Sequence, residues 1–147
     1  MRKINKQAGF TLIELIMVIV ILGVLSAFAL PRFADLGGNA RTASINGLAA
    51  SLKAASNIAH AQSLANGAAA ADSVNLEGQA ITMAAFYPTA NAAGIGLAAQ
   101  VDTTNDYDDT EAGTVVTYTI AGTTAGACEV EYDATAAPPS VTVTGGC

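Results

Sequence analysis

Among the side chains able to take part in chemistry, Glu14 stands in the least expected place. It lies inside the run F-T-L-I-E-L-I-M-V-I-V-I-L-G-V-L-S-A-F-A-L, from Phe10 to Leu30. A carboxylate in an apolar span costs about 2.5–3.5 kcal/mol at the centre of a bilayer, and less near an end. Thr11-Leu12-Ile13-Glu14 has the form T-x-x-E, a capping box, and an acid in the first turn also favours the helix dipole. That local role makes Glu14 tolerable. It does not explain an acid in a segment suited to lipid. A second role is as one half of a buried ion pair. Cutting the chain between Gly9 and Phe10 would create an amine at Phe10 to serve as the cation. A buried, paired charge fixes register more reliably than it adds stability.

The remaining candidates are weaker. His60 is the only histidine, has no carboxylate or cysteine near it in sequence, and reads as a structural or surface residue. No nucleophile motif frames any serine or threonine, so the chain does not read as an enzyme. Asp102, Asn105, Asp106, Asp108, Asp109 and Glu111 crowd one stretch, and oxygen ligands at close spacing suit calcium. The EF-hand order fails, because no glycine stands at the turn position and no glutamate at the twelfth. A solvated acidic loop is the plainer reading, with Asp106, Asp108, Asp109 and Glu111 as the calcium alternative. Cys128 and Cys147 lack metal-ligand spacing. In a cytosolic protein they would be free thiols, and in an exported one a disulfide.

Composition separates two regions. The sequence has 147 residues and is 52% apolar, with no tryptophan. All six basic residues (Arg2, Lys3, Lys6, Arg32, Arg41, Lys53) lie within the first 53 positions. From Ala54 onward there are ten acids and no Lys or Arg. Nucleic-acid binding through phosphates needs a basic surface, so this body is not built for it. The 21 residues from Phe10 to Leu30 would span about 32 Å as a helix, against a hydrocarbon core of about 30 Å. Arg2, Lys3 and Lys6 place the N-terminus in the cytoplasm and the body outside.

Three uses of that segment compete. One is a secretory signal cleaved after Ala29, at Ala27-Phe28-Ala29. Another is an ordinary signal anchor. The third is a segment used first as a membrane anchor and then as the packed core of an assembly. The length of the apolar run and the presence of Glu14 favour the third.

Lys6-Gln7-Ala8-Gly9, then Phe10-Thr11-Leu12-Ile13-Glu14-Leu15, then an apolar run to Pro31, resembles the class III signal of type IV pilins, with the short basic leader of the type IVa group. The likeness implies a leader of residues 1–9, cleavage after Gly9 by a prepilin peptidase, and N-methylation of Phe10. It implies pairing of Glu14 with the Phe10 amine of a neighbouring subunit. It implies a filament-core helix over residues 10–35 and a globular head over 36–147. The partners would be other copies in a helical filament, the inner membrane and the pilus assembly machinery. The subunit would sit in the inner membrane and then in an extracellular pilus for adhesion or motility, with no cofactor. A major pseudopilin of a type II secretion system is the nearest alternative, and relatives of that kind hold calcium in a C-terminal loop. Pro31-Arg32-Phe33, Asn39-Ala40-Arg41-Thr42-Ala43, Phe86-Tyr87-Pro88-Thr89 and Ala93-Gly94-Ile95 resemble the major pilin of mannose-sensitive haemagglutinin type pili.

The elements that must position these residues form an α+β arrangement. Pro31 lacks an N–H and, with Gly37 and Gly38, marks an expected helix break. Either the membrane helix ends there, or the stretch loses helical bonds on moving from membrane to filament. Ile45, Leu48, Leu52, Ala55, Ile58 and Ala59 recur at helical spacing, and Asn66-Gly67 is a stop signal. The long helix is therefore expected from about Phe10 to about Ala65. Ser73–Ala85 suits a short strand or hairpin, Phe86–Gln100 a loop with a helical turn, and Asp102–Ala112 a polar loop. Strands are expected at Thr114–Ala121, Ala127–Asp133 and Ser140–Thr144, as an antiparallel meander under the amphipathic half-helix. A Cys128–Cys147 bond would clamp the last strand to the middle one.

Overall fold

The structure is a computed structural model that describes residues 9–124 and 126–147. The chain divides into two compact units, Met1–Gly38 and Asn39–Cys147. One helix, α1 (Leu12–Ala65), contributes to both.

In the first unit α1 begins immediately after Thr11 and is apolar all round. Leu12–Leu30 has a mean hydropathy of 2.7, and none of it is buried within the chain. The expected break is absent, since the helix is unbroken through Pro31, Gly37 and Gly38. A proline removes one N–H from the ladder, and the helical bonds on both sides still hold the backbone. Ser26 spends its hydroxyl within the helix, donating to the Leu22 carbonyl at 2.7 Å.

In the second unit α1 is amphipathic and stops where the sequence signals. Gly67 takes a left-handed φ of 60°. The Ala68 N–H then donates to Ser63 O at 3.2 Å and the Gly67 N–H to Leu64 O at 3.1 Å, satisfying the last carbonyls. A hairpin follows, with β1 (Val74–Leu76) paired antiparallel to β2 (Gln79–Ile81). Next come the short pair β3 (Met83–Ala84) and β4 (Tyr87–Pro88), then a π-helix over Ala92–Gly96. The main sheet is an antiparallel meander of β5 (Tyr107–Ala112), β6 (Val115–Ile120), β7 (Glu129–Asp133) and β8 (Ser140–Thr144), in that spatial order.

The sheet has four strands, not the expected three. The polar stretch 107–112 pairs along its whole length with β6, from Tyr107 opposite Ile120 to Ala112 opposite Val115. Its acidic side chains suit an edge strand, where charge discourages stray pairing. The core lies between α1 and this sheet. Ile45, Leu48, Leu52 and Ala55 meet Val116, Tyr118, Val130 and Tyr132. Ala59 packs with Val74, Ile81 and Met83 in a second cluster. Ile58 departs from its expected place and is 59% exposed, because the buried face continues through Ser56, Ala59 and Ser63 instead.

Tyr132 ties the layers together. Its ring is buried and its hydroxyl donates to the Pro88 carbonyl at 2.9 Å, with Ser56 Oγ at 3.4 Å. Burial, outweighing the Ser56 bond, pushes this phenol from its usual 10.0 up to about 12. A raised phenol pKa contributes stability that is complete below pH 10 and lost as pH approaches 12. The melting temperature of the solubilised chain, followed by circular dichroism, should therefore fall between pH 10 and 12. A flat profile across that window would contradict the buried, neutral Tyr132.

Candidate assembly site

The N-terminal end of α1 carries a reciprocal cap. The Thr11 N–H and the Thr11 hydroxyl both donate to Glu14 Oε2 at 2.8 Å, and the Glu14 N–H donates back to Thr11 Oγ1 at 3.3 Å. This is the capping box that T-x-x-E predicts. It engages only one carboxylate oxygen. Oε1 has no hydrogen-bond partner among the described residues. Glu14 thus holds the first turn together with one oxygen and, itself exposed, keeps the other unused.

Gly9 and Phe10 precede the helix and are exposed, Phe10 at 94%. The peptide bond between them lies outside the helical ladder. Beyond Glu14 the large side chains stand open on every side, from Leu15 at 62% exposed to Leu30 at 70%. Each is worth roughly 1.5–3 kcal/mol when fully buried. The site therefore combines an exposed peptide, a half-used carboxylate and a helix that no described residue buries.

Cys128 and Cys147 form a disulfide with Cα atoms 4.8 Å apart, nineteen residues apart in sequence. It anchors the chain end beyond β8 to the start of β7. A loop of this length stabilises by about 3 kcal/mol in the chain-entropy model. His60 is structural: its Nδ1 lies 2.9 Å from the Phe86 carbonyl, and its ring stacks on Tyr87 at 4.1 Å.

The acidic stretch is dispersed rather than convergent. Asp102 spends its carboxylate on the turn after it, accepting from the Asn105 amide at 3.0 Å and from the Thr104 and Asn105 N–H groups. The Asn105 side chain, followed by those backbone donors, holds its pKa below the usual carboxylate range. Asp108 and Asp109 are successive residues of β5 and so point to opposite faces. Glu111 Oε1 accepts from the Ala92 N–H at 2.6 Å. Among the described residues no three His, Cys, Asp or Glu side chains are placed to share a metal ion, so Asp106, Asp108, Asp109 and Glu111 are not brought together as a calcium site.

Sequence reasoning missed a polar knot linking β3, β4 and the π-helix. Asn91 Oδ1 accepts from the Gly94 N–H at 2.8 Å and the Thr89 hydroxyl at 3.0 Å, and Thr82 Oγ1 lies 2.5 Å from Thr89 Oγ1. A Cβ on Gly94 would fall 2.2 Å from the Thr89 carbonyl oxygen. The only signal in the sequence was the Ala93-Gly94-Ile95 motif itself.

The comparisons with known proteins agree with this site. The family described as the prokaryotic N-terminal methylation motif matches residues 4–30, running unbroken across Ala29. The chain is 40% identical over 100 residues to the type IV narrow pilus major component PilA5 of Thermus thermophilus, covering 67% of this chain and 84% of that protein. It is 47% identical over 51 residues to the type IV major alpha-pilin of Moraxella bovis, covering 35% and 32% of the two chains. It is 53% identical over 32 residues to the type II secretion system core protein G of Vibrio cholerae, covering 22% of each. The chain thus spans about a third of the Moraxella protein and most of the Thermus one. No solved structure matches.

The chain belongs to the type IV pilins. Its long N-terminal helix followed by small antiparallel sheets is the α+β arrangement of that family.

Two outcomes are expected from this geometry. Gly94→Ala should destabilise the solubilised chain by several degrees in thermal melting, and an unchanged melt would contradict the close approach of Thr89. Cys147→Ser should lower stability by about 3 kcal/mol in urea unfolding and leave Cys128 reactive to thiol reagents. Two reactive thiols in the unaltered protein would contradict the disulfide.

Proposed function

We propose that this chain is the major structural subunit of a type IVa pilus. It enters the inner membrane with its N-terminus inside, is cut after Gly9 by a prepilin peptidase, is N-methylated at Phe10, and joins a helical filament. The observation that carries this reading is the combination at the N-terminus: Oε1 of Glu14 without a hydrogen-bond partner among the described residues, and Leu12–Leu30 with none of its residues buried. Cleavage supplies a cation at Phe10 that Glu14 of a neighbouring copy can accept in an apolar setting. Lipid covers the helix before assembly and other α1 helices cover it afterwards.

Residues 1–9 are then the leader, 10–35 the anchor and filament-core helix, and 36–147 the head. Cleavage leaves three basic residues against twelve acidic ones, a formal charge of −9. Heads of like charge repel, so the apolar helices must supply the driving force. The acidic head presents no basic surface for nucleic acid. The stretch with Pro31, Gly37 and Gly38, helical in the single chain, is where helical bonds are most easily given up during assembly. Motifs from Pro31 to Ala43 and from Phe86 to Ile95 support placement beside the mannose-sensitive haemagglutinin type pilins, and the ordered knot around Gly94 gives the second of these a structural role.

The second reading, a pseudopilin of a type II secretion system, is favoured by the match to the Vibrio core protein, which covers 22% of the chain. The match to the Thermus pilus component extends over 67% and so supports the pilus more strongly.

Glu14→Ala tests the proposal. The variant should enter the membrane and lose its leader, yet yield few fibres when cells are sheared and imaged. A normal fibre yield would refute the role of Glu14 in assembly.

A further inference from the structure

We propose that neighbouring heads in the filament meet edge to edge, with Lys53 of one copy seated against Asp109 on the β5 edge of the next. This rests on the reading of the chain as a filament subunit. The first observation is the sorting of charge within Asn39–Cys147. β5 is one edge of the main sheet and carries Asp108, Asp109 and Glu111, with Asp106 just before it. Lys53 sits at the other side of the same unit. It lines a cavity with Tyr87, Pro138, Pro139 and Val141, beside β8 at the opposite edge of the sheet. Lys53 is exposed and makes no ion pair among the described residues.

A second observation singles out Asp109 among the acids. It lines a cavity of about 230 Å³ together with Tyr118, Gln100 and Thr103. Tyr118 is only 1% exposed, yet its hydroxyl has no hydrogen-bond partner among the described residues. That hydroxyl lies beside Gly96 at the same cavity, 3.1 Å from where a Cβ would stand. A buried hydroxyl without a partner costs free energy until something supplies one. Burial and then the charges of Asp109 and Glu111 push this phenol above its usual range.

The chemistry that fits is a primary ammonium. It carries three donors on a compact charge at the end of a flexible stem. One donor can meet the Asp109 carboxylate, beside the cavity that Tyr118 also lines. Glu111 is a poorer target because it already accepts from the Ala92 N–H, and Asp108 faces the other side of the strand. A contact between two different edges of identical subunits is heterologous, and repeating it builds an open helical array rather than a closed dimer. Such a pair also orients heads whose net charge would otherwise hold them apart.

Lys53 is the only lysine after Lys6, so a cleaved subunit has a single side-chain amine. Intact filaments assembled from mixed ¹⁴N- and ¹⁵N-labelled subunits are treated with a zero-length carbodiimide, digested and analysed by mass spectrometry. Mixed-label peptides joining Lys53 to Asp109 are expected. Lys53 left unjoined, or joined only to other carboxylates, overturns the inference while leaving the subunit reading intact. Failure of the unaltered chain to form filaments overturns that reading and this inference with it. As an independent check, Lys53→Asp and Asp109→Lys should each lose most sheared fibre, and the two together should recover it. A double variant no better than either single one counts against the pair.

Discussion

The nineteen-residue span Leu12–Leu30 has a mean hydropathy of 2.7 despite Glu14, and among the described residues none of it is buried. This constraint governs the rest of the molecule. Large aliphatic side chains left in water are costly, which favours burial of the segment in lipid or in protein. Both environments exclude water, and both make an unpaired charge expensive. Glu14 stands near the start of this segment, where its cost is least, and under the proposed function cutting the Gly9–Phe10 bond would form its partner. The Thr11 cap holds the carboxylate through Oε2 and leaves Oε1 without a hydrogen bond among the described residues. A single local motif thus starts the helix and keeps one carboxylate oxygen unused.

The second unit solves a different problem. It must stay folded while carrying almost no positive charge. Its core is small, built from the inner face of α1 and the inner faces of β6 and β7, with two buried tyrosines as its largest side chains. The Cys128–Cys147 disulfide fixes the chain end to β7. Tyr132 reaches from the sheet to the Pro88 carbonyl, and His60 reaches from the helix to the Phe86 carbonyl. The connection between helix and sheet is therefore fastened from both sides, which keeps the edges of the unit in fixed places.

Much of this was legible in the residues. Apolar spacing located the second half of α1, Asn66-Gly67 located its stop, and strand signals located β6, β7 and β8. Tyr107–Ala112 escaped because its strand signal is masked by acids: at an edge the pairing partner, β6, decides the conformation more than intrinsic propensity does. Ile58 misled because hydrophobicity was read as burial, whereas Ser56 and Ser63 occupy the inner face. The π-helix and its Asn91–Thr89 knot depend on contacts between residues whose types are ordinary, so spacing alone could not reveal them. At the start of α1 the Thr11–Glu14 cap was readable, since it depends on a short, fixed spacing. What the structure added was the division of labour between the two oxygens of Glu14.

The central claim is that Glu14 awaits a cation made only by processing at Gly9–Phe10. Intact-mass and N-terminal peptide analysis of subunits sheared from the cell surface tests it most directly. The account predicts a subunit beginning at Phe10 with one added methyl group on its amine. A subunit beginning at Leu30, or one retaining Met1 through Gly9, would contradict it.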